Sequence, residues 1–453
     1  MRVTVNPGGT VGGEVRVPGD KSIAHRWLIL GATAEGRSEL RGLPLALDVR
    51  STAKVLASIA PEGVRAALEA WASQAAATEE RQRSTANEGE PRPSSISLEA
   101  QGRVALRAPE GDLDCGNSGT TMRLMAGVLA SYSVEARLTG DDSLTVRPME
   151  RVAEPLRAMG ADVRTTGGRP PVTVRGGALD GIRHVAPVPS AQVKGAVLLA
   201  GLAAEGPTTV EEPVSTRDHI ERAIQHLGGP VRTKGSSVTV SAFRHPGFQG
   251  EVPGDISSAA FLVVATALAG GSLVIHDVGL NPTRTHLLDV LARMGVRTRP
   301  TVDRDELGEP AGTLEVEPPS ALTGITVEAA ELPLLIDEVP VLAILAANAA
   351  GRTRFRGAAE LRVKEIDRLA AIAGGIRALG GQAEVDGDDL VIEGGALRGG
   401  TVSALGDHRM AMAFAVSGIA ASGPVVVEGL EAAEISFPGF ARTLAALGAR
   451  IEP

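Results

Sequence analysis

An α/β fold of two domains is predicted, each domain built from three copies of a unit of two helices and several strands. Three observations carry this expectation. Two kinds of helix alternate strictly along the chain, six of each. Five of the second kind stop at a glycine after Leu or Met, at Gly160, Gly228, Gly295, Gly380 and Gly448, spaced by roughly 68 residues with one gap of roughly 85. The tetrapeptide Val-Pro-Gly-Asp occurs at 17–20 and again at 252–255, where the chain is expected to cross between domains. One domain then takes 20–251, and the other takes 1–19 with 252–453. A chain of 453 residues is too long for one ordinary core, which agrees with two domains.

The first kind of helix opens on polar residues and continues as an Ala/Leu/Val run, at about 22–33, 120–131, 191–204, 256–269, 338–350 and 409–421. Apolar on every face, these helices belong inside. The second kind is amphipathic and belongs outside: 50–59, 147–159, 216–227, 283–294, 364–379 and 439–447. A strand usually follows, as in Ala161-Asp162-Val163-Arg164 and Gln382-Ala383-Glu384-Val385. One region breaks the period. Ala66–Ala77 reads as a short helix, and the polar stretch Glu79–Ser95 reads as a loosely ordered surface insertion.

Composition excludes several function classes. Hydrophobic content of 43% and charged content of 22% belong to a soluble globular chain. No apolar run is long enough to span a membrane, and Met1-Arg2-Val3-Thr4-Val5 reads as a strand rather than a signal peptide. A net charge of −9 and 2% aromatic residues argue against a nucleic-acid surface. The single cysteine, Cys115, excludes an internal disulfide and a Cys-built zinc site, in keeping with a reducing cytoplasm. No His-x-x-x-His pair occurs, and His219-Ile220-Glu221 is an isolated His-x-Glu, so no metal site is expected.

Polar side chains gather instead at the mouths of helices. In Val17-Pro18-Gly19-Asp20-Lys21-Ser22-Ile23-Ala24-His25-Arg26, a strand turns on Pro-Gly and a helix opens with Asp20 as its N-cap. Ser22 and Arg26 are one turn apart on one face. With Lys21 they surround a helix N-terminus, whose free N–H groups favour an oxyanion; a capped surface helix with solvated cations is the other reading. Asp114-Cys115-Gly116-Asn117-Ser118-Gly119-Thr120-Thr121-Met122-Arg123 is a second strand-to-helix turn without the P-loop spacing. Cys115 reads as a small core residue.

Arg147-Pro148-Met149 and Ser190-Ala191-Gln192-Val193-Lys194 open two further helices, and Ser215-Thr216-Arg217-Asp218-His219 caps the next, where His219 suits a base but reads first as an exposed helix-end histidine. Asp337-Glu338 precedes an apolar helix, where Asp337 suits either an N-cap or a base. Arg362–Arg368 packs five charges into two expected helical turns, with Lys364 and Arg368 on one face and Glu365 beside them; it reads as a solvated face or part of an anion site. Asp407-His408-Arg409 opens the last apolar helix. Together these cations and helix ends suit highly anionic ligands, with Asp337 and Glu365 as candidate acid and base.

In this order and over nearly the whole chain, these stretches resemble the 5-enolpyruvylshikimate-3-phosphate synthase family. The resemblance implies a two-domain inside-out α/β barrel with the site in the interdomain cleft. It implies transfer of the enolpyruvyl group of phosphoenolpyruvate to the 5-hydroxyl of shikimate 3-phosphate, with no metal or organic cofactor and with these two small molecules as partners. A cytoplasmic monomer that binds neither nucleic acid nor membrane is expected. Ser22, Arg26, Ser190 and Arg217 are implied to grip shikimate 3-phosphate, with Lys364 nearby. Lys21, Gly119, Arg147, Gln192, Arg368 and Arg409 are implied to grip phosphoenolpyruvate, and Asn117, Thr120 and Ala191 complete the binding set. Asp337 would take the proton of the attacking hydroxyl, and Glu365, helped by Lys21, would protonate the methylene carbon. His408 would support Arg409 or the carboxylates.

Two positions depart from the family pattern. Ile435 stands where some members carry Lys, with Lys194 a candidate substitute for that cation, and Glu360 stands where some carry Asn. Gly119 leaves room beside the donor, so inhibition by glyphosate is expected. The enzyme alternative is a UDP-N-acetylglucosamine enolpyruvyl transferase, whose family usually opens Lys-Asn-Ala where this chain has Lys21-Ser22-Ile23. A non-catalytic ligand-binding paralogue is the alternative of a different class.

Overall fold

The computed structural model describes residues 1–84 and 94–452. Contacts divide the chain into two compact units. The inserted unit is Gly19–Val252 with Asp305–Glu309, and the discontinuous unit is Met1–Pro18, Pro253–Arg304 and Pro310–Pro453. The placement of Asp305–Glu309 differs from the sequence expectation, which left all of 252–453 in one domain. This segment is the turn between the strands Arg297–Glu306 and Glu309–Glu317. Polar bonds tie it into the inserted unit: His219 Nδ1 lies 2.7 Å from Glu309 Oε1, and Glu251 N donates to Glu306 Oε1 at 2.7 Å.

The described residues form six sheets, three in each unit, five of four strands and one of three. All share one pairing scheme. An edge strand pairs parallel with its neighbour, and that neighbour pairs antiparallel with the next. Leu113–Asp114, Glu135–Thr139 and Arg169–Arg175 follow it in the inserted unit, as do Gly400–Ser403, Val425–Glu428 and Arg2–Asn6 in the discontinuous unit.

Six helices lie in the cores, three per unit: Lys21–Thr33, Gly119–Ala130 and Ala191–Gly201, then Ile256–Ala269, Val339–Ala347 and His408–Ala420. Their apolar residues are buried on every side. Five carry a side-chain N-cap, from Asp20, Ser118, Ser190, Asp255 and Asp407; the helix Val339–Ala347 has Glu338 at that position without a capping bond. A cap is worth about 1 kcal/mol and one buried Leu or Ile about 1.5–3, so burial holds these helices and the caps orient their first turns. Gly127 lets two of them touch: a Cβ there would lie 2.2 Å from the Ala196 carbonyl oxygen.

The outer helices end as the repeated glycine requires. After Leu47–Ile59 come Glu150–Ala158, His219–His226, His286–Arg293, Arg368–Ala378 and Phe440–Ala446. Gly160, Gly228, Gly295, Gly380 and Gly448 follow their C-caps at positive φ. At the first, Gly160 N donates to the Arg157 carbonyl and Ala161 N to the Leu156 carbonyl, the paired bonds of a left-handed helix stop.

Three elements depart furthest from expectation. The helix foreseen at 66–77 runs Glu62–Ser84, because Glu79-Glu80-Arg81-Gln82-Arg83 are good helix formers and prolong it. The foreseen insertion is thereby reduced; its centre, 85–93, lies outside the described residues, and Ser94 already belongs to the strand Ser94–Gln101. The helix foreseen from Lys364 starts at Arg368, where the Asp367 side chain accepts from Ala370 N at 3.0 Å. Among the described residues no helix is long and apolar enough to cross a membrane.

Candidate active site

In the inserted unit, Asp20 caps the helix Lys21–Thr33 by accepting from Ile23 N at 2.9 Å. This sets Lys21 and Ser22 in the first turn. Lys21 Nζ sits 2.6 Å from Asp48 Oδ2, a partner the sequence did not suggest because it lies on another helix. Arg26, buried below Ser22, donates to the Ser22 carbonyl at 2.7 Å and to the Ala191 carbonyl at 3.4 Å. Burial lowers its pKa to about 10, partly offset by Glu221 and Asp20, so it remains a cation at neutral pH.

The second cluster forms around Gly119. Ser118 caps its helix by accepting from Thr121 N, leaving Asn117 and Thr120 half-buried at the mouth. A Cβ on Gly119 would lie 2.8 Å from Nη1 of both Arg123 and Arg147. Arg123 donates to Gln192 Oε1 at 2.5 Å and to the Pro148 carbonyl at 3.2 Å. Arg147 donates to the Asn117 carbonyl at 3.4 Å, and Gln192 Nε2 donates to Thr120 Oγ1 at 2.8 Å. Asn117, Gly119, Thr120, Arg147 and Gln192 are therefore brought together. Two guanidinium groups converging on one glycine suit a carboxylate or phosphate. The sequence reading gave Arg123 no role, although it stands four residues after Gly119 as Arg26 stands four after Ser22.

Arg147 and Arg217 are not helical. Arg147 lies in the turn between Asp142–Thr145 and Glu150–Ala158, where Pro148 keeps it out of a continuous helix. Arg217 precedes the helix His219–His226, half-buried and close enough to Arg26 to depress its pKa. His219 is buried against Glu309, not exposed at a helix end. Lys194 cannot stand in for the cation missing at Ile435. It is buried between Glu212 at 2.9 Å and Glu221 at 2.8 Å.

In the discontinuous unit, Arg368 organises the charged residues. Its Nε donates to Asp407 Oδ2 at 2.7 Å and its Nη2 to Glu365 Oε2 at 2.6 Å, while Nη1 lies 3.7 Å from Asp337 Oδ1. Burial opposes its charge, but Asp407, Glu365 and Asp337 outweigh that and raise its pKa. Asp407 Oδ1 accepts from Arg409 N at 2.8 Å and Met410 N at 3.1 Å, and Arg409 Nη2 lies 3.7 Å from Asp337 Oδ2. One guanidinium thus touches both candidate acid–base carboxylates. Asp337 does not cap a helix, since Val339–Ala347 starts two residues later.

Lys364 is extended rather than helical, so it shares no helix face with Arg368. Burial lowers its pKa, against the opposing influence of Asp337, Glu360 and Glu365. His408 Nδ1 lies 2.5 Å from Ser436 Oγ, the residue after Ile435.

The family model described as EPSP synthase (3-phosphoshikimate 1-carboxyvinyltransferase) matches residues 5–88 and 94–444. The chain belongs to the EPSP synthase family. This EPSP synthase family member is 44% identical over 443 residues to the 3-phosphoshikimate 1-carboxyvinyltransferase of Desulfitobacterium hafniense, covering 97% of this chain and 96% of the relative. It is 45% identical over 441 residues to the protein of the same name from Acidithiobacillus ferrooxidans, again covering 97% and 96%. The solved EPSP synthase of Acinetobacter baumannii matches its fold with a TM-score of 0.80 at 38% identity, over 100% of this chain and 99% of that one.

Proposed function

We propose that the chain is a 3-phosphoshikimate 1-carboxyvinyltransferase: it transfers the enolpyruvyl group of phosphoenolpyruvate to the 5-hydroxyl of shikimate 3-phosphate and releases phosphate. The observation that carries the chemistry is Arg368 bonded to Glu365 and facing Asp337, beside Arg409. The relatives' names support the acceptor and do not favour the UDP-N-acetylglucosamine alternative.

In this reading Asp337 takes the proton of the 5-hydroxyl as its oxygen bonds to C2 of phosphoenolpyruvate. Glu365, protonated and assisted by Lys21, delivers a proton to C3, and a tetrahedral ketal forms. The ketal methyl returns a proton to Glu365 as the C2–O bond to phosphate breaks, and the hydroxyl proton leaves with phosphate. Ser22, Arg26, Ser190 and Arg217, with Lys364, take the acceptor; Arg147, Gln192, Arg368, Arg409 and Gly119 take the donor, and Arg123 joins them. Each set of three sheets with one pairing scheme is read as an inside-out α/β barrel of three repeats.

The test is phosphate release from phosphoenolpyruvate with either shikimate 3-phosphate or UDP-N-acetylglucosamine in chelator-treated buffer. Release with the shikimate ester alone is expected; release only with the nucleotide sugar, or with neither, overturns the reading. A second expectation concerns Gly119→Ala. Its methyl would crowd both guanidinium groups, which must shift by several tenths of an ångström. KM for phosphoenolpyruvate should rise by roughly tenfold, with inhibition by glyphosate weakened in parallel. An unchanged KM would remove Gly119 from the donor site, and an unchanged rate across a wide glyphosate titration of the native chain would remove the inhibitor from it.

A further inference from the structure

Behind Ser190 and Arg217 lies a buried trio that the proposed chemistry does not use. Glu212, 4% exposed, directly follows the strand Thr208–Glu211. Its carboxylate accepts from Ser190 N at 3.1 Å, from Thr216 N at 3.2 Å and from Thr216 Oγ1 at 2.8 Å. Lys194, 3% exposed, bonds Glu212 and Glu221 and donates to the Thr216 carbonyl at 3.4 Å. Two separate segments, one opening the helix Ala191–Gly201 and one leading into Arg217, are thus fixed by a single carboxylate.

We infer that Glu212, with Lys194 as its counter-ion, is a positioning residue for the acceptor: it sets Ser190 and Arg217 at the spacing that a phosphate ester requires. The inference rests on the enolpyruvyl-transfer reading above. Its physical basis is the cost of the arrangement. Two buried carboxylates on one ammonium are poor stabilisers, and a well-packed apolar cluster of the same volume would serve stability as well. What an apolar cluster cannot do is accept hydrogen bonds from two loops at once. The trio is too buried to touch the ligand and acts only through the groups it holds. Arg26, which donates to the Ala191 carbonyl, extends the same support to the residue after Ser190.

The experiment separates KM from kcat in two variants of the full chain. Glu212→Gln keeps the size but places an amide N–H₂ where an acceptor is needed. KM for shikimate 3-phosphate is expected to rise roughly tenfold or more, with KM for phosphoenolpyruvate and kcat within about threefold of native. Thr216→Val removes only the hydroxyl donor and leaves the Lys194–Glu212 ion pair intact, so it folds even if the first variant does not. It should raise the same KM by roughly threefold. Glu212→Asp, which keeps the charge, should recover part of the loss.

A KM for the ester within twofold of native in both variants overturns the inference. So does a fall in kcat and a rise in both KM values together, which marks general damage. A native chain without ester-dependent phosphate release overturns the acceptor reading itself, and is recognised before any variant is made.

Discussion

Glu365→Gln should lower kcat by about 10²–10⁴-fold, the usual worth of a positioned general acid, while leaving substrate affinity nearly unchanged. The amide keeps the size of the side chain and can still accept from Arg368 Nη2, now 2.6 Å from the carboxylate. What it lacks is a proton to give to C3 of phosphoenolpyruvate. Steady-state phosphate release measures the first effect. A second measurement isolates the step: in D₂O the native chain should place deuterium in the methylene group of phosphoenolpyruvate recovered before completion. The ketal methyl turns before it loses a proton, and part of it returns to the donor. The variant should incorporate none at matched times. A kcat within tenfold of native would take the acid role away from Glu365.

The second large effect is expected at Arg368. Its side chain is 1% exposed and faces Asp407, 0% exposed, as well as Glu365 and Asp337. Arg368→Met fits the space but leaves a buried carboxylate with its backbone capping bonds and no counter-ion. Breaking a buried pair by removing one partner costs about 3–5 kcal/mol. For a chain of this size that should lower the thermal unfolding midpoint by roughly 3–5 °C. Activity should fall beyond measurement, because the same guanidinium orients both carboxylates. Arg368→Lys should recover stability in part but little activity, since one ammonium cannot reproduce two bonds and a third carboxylate contact from one planar fork. A midpoint within 2 °C of native for Arg368→Met would mean that Asp407 is stabilised by its backbone bonds alone.

Local chemistry makes much of this molecule legible in its sequence. Central helices were recognisable because a helix apolar on all faces must be buried, and five of them open on a short Asp or Ser side chain that caps a free N–H. The glycines after the outer helices were recognisable because the left-handed stop penalises any side chain. The candidate residues Lys21, Ser22, Gly119, Gln192 and Arg409 are legible as first-turn residues for the same reason: position in a turn is a local property.

The misreadings fall where partners come from elsewhere in the chain. A charge-rich stretch such as 362–368 has helical periodicity, but Asp367 caps at Arg368, and Glu365 folds back onto that arginine. Lys194 looked available because nothing near it in sequence is acidic; Glu212 and Glu221 reach it only in the fold. His219 looked exposed because its cover, Glu309, is 90 residues away. Local sequence sets which residue types stand at the helix mouths, and so the class of ligand and chemistry. The tertiary structure alone decided which of those charges are already paired: Lys21 to Asp48, Lys194 to two glutamates, Arg368 to Asp407 and Glu365. An ion pair depends on a few ångströms between groups far apart in the chain, and no local pattern encodes that distance.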